Sequence, residues 1–254
     1  MDHVWQLLSN PRLPGEDGYF EHVRAELLDL LGPPPRRFVE IGCGTGLTAA
    51  EAKRRYPEAV VEGFEVSAAA GALAATRIDA VHIGDVERTD LAALYAPESI
   101  DALLLADVLE HLYDPWNLLV RIRPFLTPDA QVIASIPNIR NMALLSELAA
   151  GTFSYVPAGL LDVTHIRFFT RSEIIKMFDA TGYDVLAMVN ARDPRIPPIA
   201  ATSFPINLET PGIVLKNVDA PTLAELQTIQ FYVTARPKRK LQWDVTPTGG
   251  GNAT

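Results

Sequence analysis

The sequence predicts an α/β fold in which a mostly parallel β-sheet is covered by helices on both faces. Short apolar runs typical of strands alternate along the chain with helical patterns, and this order favours parallel strands. A glycine-rich turn joins the first strand to the helix after it. The 254 residues, 48% of them hydrophobic, are enough to bury one sizeable core. We therefore expect one domain over residues 1–241 and a disordered tail over residues 242–254.

The predicted elements follow one another in a regular order. A first helix covers residues 19–31, where apolar side chains recur at helical spacing until a Gly-Pro-Pro-Pro run ends the pattern. Further helices are expected at residues 45–56 and 173–180, the second of them capped by Thr170. Strands are predicted at residues 38–41, 60–64, 80–83, 102–105, 132–136, 185–189 and 228–235. The proline-rich segment 192–226 interrupts this order and is predicted to be a long irregular insertion.

Net charge and cysteine content narrow the class of protein. A formal net charge of -9 and a pI near 5.0 disfavour a nucleic-acid partner, because such proteins neutralise phosphates with Lys and Arg. The one cysteine, Cys43, excludes an internal disulfide and a multi-cysteine zinc site. The N-terminus lacks a signal-peptide pattern, and no apolar run has the length to span a bilayer. We therefore expect a cytoplasmic protein without nucleic-acid or membrane partners, and a homodimer is compatible with the sequence.

A glycine-rich run stands where the first strand turns into a helix. It reads Glu40, Ile41, Gly42, Cys43, Gly44, Thr45 and Gly46. Glycines at such a turn let a ligand approach the bare backbone beside a helix N-terminus, which suits a nucleotide-like cofactor. A dinucleotide fingerprint would need a third glycine at position 47, which is Leu47. The nicotinamide and flavin interpretations are therefore disfavoured.

With its GxGxG spacing and Glu40 two places before Gly42, this run resembles the first motif of the class I, Rossmann-like S-adenosylmethionine-dependent methyltransferases. The resemblance implies a seven-stranded sheet with an antiparallel last strand, and the reaction product S-adenosylhomocysteine. It also implies that Glu65 accepts hydrogen bonds from both ribose hydroxyls and that Asp85 meets the adenine amino group. The implied cofactor-binding residues are Glu40, Gly42, Cys43, Gly44, Gly46, Glu65, Val66, Asp85, Val86, Asp107 and Val108.

Two residues of the first predicted helix, Tyr19 and Arg24, could reach the carboxylate of that cofactor. For Arg24, a solvated helix face is the favoured interpretation.

The second half of the chain resembles a narrower group, the small-molecule and sugar methyltransferases often found beside glycosyltransferases. Two segments that carry it are DVLEH at residues 107–111, in the first half, and THIRFFT at residues 164–170. The SIPN run at residues 135–138, Tyr155 and the GLLD run at residues 159–162 also match. The resemblance spans about residues 18–190 and fades over 192–226, where we expect an insertion or lid near the acceptor site. Phe168 and Phe169, within the second segment, are predicted to be core residues.

A hydroxyl acceptor must lose its proton during methyl transfer, which calls for a general base. Histidine is the natural base because its unperturbed pKa lies nearest neutrality. His165 and His111 fall within the two segments, and Asp162 stands three residues before His165 as an orienting carboxylate. We therefore predict these three residues as catalytic. The sequence leaves open which histidine is the base.

Other functions compete with methylation of a hydroxyl on a small metabolite or sugar. An amine or carboxylate acceptor would depend less on a base, and a non-catalytic cofactor-binding subunit would use an apolar surface in the 196–218 region. Asp107, Glu110, His111 and His165 also resemble the metal set of small-RNA terminal 2'-O-methyltransferases. In those enzymes the metal ion holds the ribose hydroxyls of the RNA. The acidic composition of this chain lacks the basic patch that RNA binding requires, so we expect no divalent metal.

Overall fold

The computed structural model describes residues 4–9, 14, 22–201 and 203–239. Its strands are β1 (Arg37–Ile41), β2 (Val60–Glu65), β3 (Ala80–Ile83), β4 (Ile100–Ala106), β5 (Leu126–Pro137), β6 (Tyr183–Arg192), β7 (Ile206–Thr210), β8 (Ile213–Val218) and β9 (Thr228–Pro237). Its α-helices are α1 (Ala25–Leu28), α2 (Leu47–Arg55), α3 (Ala68–Ala74), α4 (Pro115–Ile122), α5 (Met142–Ala149), α6 (Arg171–Ala180) and α7 (Ala220–Leu226). Short 3-10 helices lie at Val4–Leu8, Leu91–Ala93 and Arg123–Phe125.

Seven strands form one sheet in the order β3-β2-β1-β4-β5-β9-β6. Strands β1 to β5 are parallel to one another, whereas β9 runs antiparallel to both β5 and β6. The predicted fold class is therefore confirmed, including the antiparallel last strand. The turns that follow β1 to β4 lie along one edge of the sheet, because the carboxyl ends of parallel strands meet there.

Helices cover both faces of this sheet because its strands are buried on both sides. In β1, Val39 and Ile41 pack into the larger core cluster, which includes Phe178 of α6. Phe38 points the other way, into a second cluster with Leu28 of α1. Burial on both faces explains why the strands read as nearly continuous apolar runs.

The first helix is shorter than predicted. It ends at Leu28, and Leu30 and Leu31 donate their N–H groups to carbonyls three residues earlier, at 3.1 and 3.2 Å. The tight turn before the prolines therefore replaces the last predicted helical turn. Residues 19–21 and the predicted tail at 242–254 lie outside the described residues.

The prediction that segment 192–226 is irregular was wrong. It contains the β7–β8 hairpin and helix α7, whose buried side chains form a third apolar cluster that includes Leu208, Val218 and Leu226. Most of the hairpin residues are exposed or half-buried, so their alternation is too weak to be recognised among the prolines. The insertion begins at the sheet, where the buried Asp193 accepts a hydrogen bond from Asn141 Nδ2 at 3.1 Å.

Within the described part of the chain, none of the helices combines the length and the apolarity needed to cross a membrane.

We expect Gly63→Ala to destabilise the fold by about 1–3 kcal/mol, because the core at this position has no room for a methyl group. A Cβ at Gly63 would lie 2.5 Å from Cys43 Sγ and 2.9 Å from Cys43 Cβ. Urea unfolding measures the effect. The double variant Gly63→Ala/Cys43→Ala removes the sulfur and should recover part of the loss. Wild-type stability in Gly63→Ala would contradict this packing.

Candidate functional site

The glycine-rich turn after β1 is held in a conformation that only glycine adopts easily. Gly42, Gly44 and Gly46 have φ of 69°, 54° and 79°. A Cβ on Gly42 would lie 2.7 Å from Cγ2 of Val108, which follows β4, and one on Gly46 would lie 2.9 Å from Cα of Ala74 in α3. The bare backbone thus lets this turn pack closely against its neighbours, forming a cradle that side chains would fill.

Glu65, at the end of β2, ties the cradle to the next strand. Its Oε2 accepts a hydrogen bond from the N–H of Gly44 and its Oε1 accepts one from the N–H of Ser67, each at 2.8 Å. Each carboxylate oxygen can accept a second bond. The side chain can therefore hold the turn and still receive a pair of ligand hydroxyls.

Apolar surface lies exposed beside Glu65. Val66 is 74% exposed, and Ile83, which pairs with Glu65 across β2 and β3, is 52% exposed. Asp85 lies two residues further on and keeps its side chain at the surface, where Oδ1 accepts a hydrogen bond from the N–H of Glu87 at 2.9 Å. Val86 is buried. A flat apolar ring with a polar edge would cover this surface and meet Asp85.

Two predicted cofactor residues lie beneath the cradle. Glu40 is buried, its Oε2 has no hydrogen-bond partner among the described residues, and burial raises its pKa to about 8. Burial also raises the pKa of the Cys43 thiol, whose sulfur packs close to Gly63. Both side chains therefore support the turn from below.

Asp107, directly after β4, anchors a polar cluster at the same edge. Its backbone has a φ of 54°, and its carboxylate accepts hydrogen bonds from Ser135 Oγ at 2.9 Å and Gln230 Nε2 at 2.6 Å. Arg24 makes an ion pair with the other carboxylate oxygen and lies over the ring of Tyr232, 5.8 Å from its centroid. This cluster joins the first helix, β4, β5 and β9.

The interpretation of Arg24 as part of a solvated helix face was wrong. Its side chain is only 18% exposed, because α1 begins at Ala25 and Arg24 turns towards the edge of the sheet. Tyr19 lies outside the described residues.

The loop that precedes α6 brings the two predicted histidines together. The N–H groups of Ile166 and Arg167 donate to the carbonyl of Glu110 at 2.9 and 3.0 Å, which holds this loop against the end of β4. The rings of His111 and His165 consequently meet edge to face, with their centroids 4.7 Å apart.

His165 faces a buried acid. Its Nδ1 lies 3.2 Å from the carbonyl oxygen of Leu160, and its Nε2 lies 3.9 Å from Oε1 of Glu110. Neither carboxyl oxygen of Glu110 has a hydrogen-bond partner among the described residues, and burial raises its pKa to about 8. Burial also lowers the pKa of His165. At neutral pH, both side chains are therefore predominantly uncharged.

Asp162 reaches His111 through a threonine. Asp162 Oδ1 accepts hydrogen bonds from the N–H and the hydroxyl of Thr164, at 2.9 and 2.7 Å. Thr164 Oγ1 in turn lies 3.0 Å from Nδ1 of His111. The structure thus links the carboxylate that was predicted to orient His165 to the other histidine, while a backbone carbonyl faces Nδ1 of His165.

Three members of the alternative metal set also meet here. Glu110, His111 and His165 each offer one ligand atom, and these atoms lie within 4.8 Å of one another. The fourth member, Asp107, pairs with Arg24, as described above. A cation at this cluster would have to displace the proton that burial favours on Glu110. Metal independence stays a prediction.

Sequence reasoning did not single out Thr164 or Gln230 as site residues. Thr164 stands directly before His165 in the second segment, which is the one signal that could have found it. Phe169 is buried as predicted, but the prediction that Phe168 is a core residue was wrong. Phe168 is 39% exposed, because its ring packs against Phe153 on the surface, with the two centroids 5.9 Å apart.

Comparisons with known proteins identify the family of this chain. Residues 17–188 match the model of a family described as Methyltransferase domain. The chain is 28% identical over 165 residues to the ubiquinone biosynthesis O-methyltransferase of Neisseria meningitidis, covering 62% of this chain and 66% of that protein. It is 35% identical over 117 residues to the trans-aconitate 2-methyltransferase of Pseudomonas aeruginosa, covering 46% of this chain and 42% of that one. The matches thus span less than two thirds of these relatives.

Solved structures share the fold. An S-adenosylmethionine-dependent methyltransferase from Thermotoga maritima superposes with a TM-score of 0.58 at 17% identity, covering 94% of this chain and 100% of that one. The 1,6-didemethyltoxoflavin-N1-methyltransferase of Burkholderia thailandensis, solved with S-adenosylhomocysteine bound, gives 0.54 at 16% identity, covering 84% and 76%. The family match covers most of the chain, and the sheet order agrees with the shared fold, so the protein belongs to the methyltransferase-domain family, of the class I, Rossmann-like type that uses S-adenosylmethionine.

Proposed function

We propose that this protein transfers a methyl group from S-adenosylmethionine to a hydroxyl of a small metabolite or sugar. The observation that carries the proposal is the meeting of His111 and His165 directly after β4, at the edge of the sheet where the glycine cradle also opens. A hydroxyl acceptor needs a base at this place, whereas an amine or a carboxylate needs one less.

The cofactor fits the cradle in this proposal. Glu65 would receive the two ribose hydroxyls, Asp85 the adenine amino group, and the exposed Val66 one face of the ring. Arg24 would meet the methionine carboxylate, because its guanidinium is already held at this edge by Asp107.

S-adenosylmethionine, when bound, supplies a methyl group on a positively charged sulfur that the acceptor oxygen displaces in line. The protein residues align the acceptor, exclude water and remove the hydroxyl proton. The two histidines are within reach of one another and of the end of β4, and they perform the last of these tasks. We propose that segment 192–226 is an insertion or lid near the acceptor.

Three aromatic side chains support an acceptor with a flat apolar face. Phe153, Tyr155 and Phe168 are 39%, 46% and 39% exposed, although their rings contact one another at centroid distances of 5.5 and 5.9 Å. They lie on the same loop as His165. The relatives named as ubiquinone biosynthesis O-methyltransferases favour a hydroxyl acceptor, and the trans-aconitate methyltransferases keep a carboxylate as the second candidate.

We expect Phe168→Ala to raise KM for such an acceptor about three- to tenfold while kcat changes little. An aromatic contact stabilises the bound ring by about 0.5–1.5 kcal/mol beyond its buried area, and Phe168 lies beside the reacting groups without belonging to them. Steady-state kinetics measure both constants. Val214→Ala removes another exposed apolar side chain, 51% exposed, from β8 and should leave KM unchanged. An unaltered KM in Phe168→Ala would contradict the stacking role.

The test of the function itself is release of S-adenosylhomocysteine. The purified protein is incubated with S-adenosylmethionine and separate panels of phenols, sugars, amines and carboxylates, each with magnesium or with a chelator. Product with hydroxyl acceptors, undiminished by the chelator, is the expected result. Product with amines or carboxylates alone would replace the proposal, and no product with any panel would favour a non-catalytic subunit. Loss of product with the chelator would assign a metal to Glu110, His111 and His165.

A further inference from the structure

The hydroxyl of Ser135, in β5, fixes the conformation of Asp107. Asp107 has a φ of 54°, in the left-handed region that residues other than glycine adopt infrequently. Ser135 Oγ accepts a hydrogen bond from the N–H of Asp107 at 3.0 Å and donates one to Asp107 Oδ1 at 2.9 Å. Ser135 is completely buried, so water does not compete for either bond. The backbone and the carboxylate of Asp107 are therefore held by the same hydroxyl.

The side-chain amide of Gln230, in β9, bridges Asp107 and Arg24. An amide has one donor end and one acceptor end, and its partners fix which end points where, because a carboxylate can only accept and a guanidinium can only donate. Nε2 therefore donates to Asp107 Oδ1 at 2.6 Å, and Oε1 accepts from Arg24 Nη2 at 3.3 Å. A single side chain thus sets the position of the guanidinium relative to the carboxylate.

Arg24 keeps hydrogens that a ligand can use. Nε donates to Glu26 Oε1 at 2.6 Å, one Nη1 hydrogen goes to Asp107 Oδ2, and one Nη2 hydrogen goes to Gln230. A guanidinium has five N–H hydrogens, so within the described part of the chain one hydrogen on each Nη has no partner. The backbone N–H of Arg24 donates to Thr48 Oγ1 at 3.1 Å, which ties this residue to α2, the helix that follows the glycine-rich turn.

We propose that Gln230 and Ser135 are positioning residues that hold the Asp107–Arg24 ion pair so that the two remaining Arg24 hydrogens meet the carboxylate of S-adenosylmethionine. The inference rests on the proposed function, in which Arg24 meets that carboxylate, and adds the residues that make this contact selective. A guanidinium that is already held in place loses little side-chain freedom when the ligand binds. The carboxylate therefore contributes more to affinity than it would beside a mobile arginine.

Two ligands that differ in one group test the inference. S-adenosylhomocysteine carries the carboxylate, whereas in its decarboxylated analogue a hydrogen takes the place of that group, and calorimetry measures the Kd of each. We expect the wild type to bind S-adenosylhomocysteine about ten- to a hundredfold more tightly than the analogue, because hydrogen bonds between charged groups are strong. Arg24→Met should bind the two ligands with similar affinity.

Gln230→Met keeps the length of the side chain but removes the amide. We expect the ratio of the two Kd values to fall about three- to tenfold in this variant, while the affinity for the analogue stays unchanged. Ser135→Ala should lower the ratio in the same direction. Gln131→Met is the matched control, because Gln131 also uses both ends of its amide, towards Gly32 and Pro33, and lies outside the cluster. A loosened fold would weaken both ligands alike, whereas a loss of positioning changes their ratio.

The double variant Arg24→Met/Gln230→Met determines whether Gln230 acts through Arg24. Its ratio should equal that of Arg24→Met alone, because no guanidinium is left to position. Retained affinity for the decarboxylated analogue shows that each variant is folded and that its glycine cradle is intact.

The inference is overturned by an unchanged ratio in Gln230→Met, by an equal loss of affinity for both ligands in Gln230→Met, or by additive effects in the double variant. Failure of the proposed function is a different result. The wild type would then still distinguish the two ligands but would release no S-adenosylhomocysteine with hydroxyl acceptors.

Discussion

Glu65→Ala is expected to weaken S-adenosylhomocysteine binding by about a hundredfold or more, and Asp85→Ala to weaken it in the same direction. A hydrogen bond to a charged group contributes roughly 1.5–3 kcal/mol, and Glu65 is proposed to make two to the ribose. Glu65 also holds the N–H groups of Gly44 and Ser67, so its loss loosens the cradle as well. Isothermal titration calorimetry measures both variants.

Contact with the ribose can be separated from support of the cradle. The wild type should bind a 2'-deoxy or 3'-deoxy analogue of S-adenosylhomocysteine more weakly than the parent, and Glu65→Ala should no longer distinguish them. Glu58→Ala is the matched control, because it removes an exposed glutamate just before β2, away from the cradle. Wild-type affinity in Glu65→Ala would contradict the assignment of the ribose site.

Stability of the ligand-free protein is expected to fall as pH rises from about 6.5 to 8. Burial raises the pKa of both Glu40 and Glu110 from 4.5 to about 8, so in this window the folded chain keeps two protons that the unfolded chain has released. For each of these protons, the free energy of unfolding falls by about 1.4 kcal/mol when the pH rises by one unit. Denaturant unfolding at several pH values measures the slope.

Glu110→Gln isolates one of these contributions. The variant keeps a neutral side chain of similar shape at every pH. Its free energy of unfolding should therefore fall with pH less steeply than that of the wild type, by about 1.4 kcal/mol per pH unit. Above pH 8 the variant should be more stable than the wild type. His165, whose pKa burial lowers, acts in the opposite direction only below its unfolded value of 6.5, which is why the window starts there. Glu58→Gln, at an exposed position, should leave the slope unchanged. A wild-type stability that does not change with pH would contradict the raised pKa values of both buried acids.

The cofactor side of the site could be predicted from the sequence because its residues stand at the ends of consecutive strands. Once β1 to β4 are known to be parallel, Gly42, Glu65, Asp85 and Asp107 must lie along one edge, since each ends its strand or follows it within two residues. The prediction for Arg24 was wrong because the helical spacing of apolar residues places its side chain on a solvent-facing side of the helix. That spacing does not reveal that the helix begins only at Ala25, one residue after Arg24.

The acceptor side depends on contacts between segments that are distant in the chain. Segment 164–170 suggested that His165 is important, but its neighbours are set by the hydrogen bonds of Ile166 and Arg167 to Glu110, which no local pattern encodes. The link from Asp162 to His111 likewise depends on the rotamer of Thr164.

By itself, the sequence determined the fold class, the order along the chain of the seven strands of the main sheet, and the sheet edge shared by the predicted cofactor residues, because periodicity and glycine turns are local properties of a chain. Only the tertiary structure decided which group faces Nδ1 of each histidine, that Glu110 is buried without a hydrogen-bond partner among the described residues, and that Arg24 pairs with Asp107. Hydrogen-bond partners and burial depend on how loops fold back on the sheet, and that packing joins residues whose spacing in the sequence carries no signal.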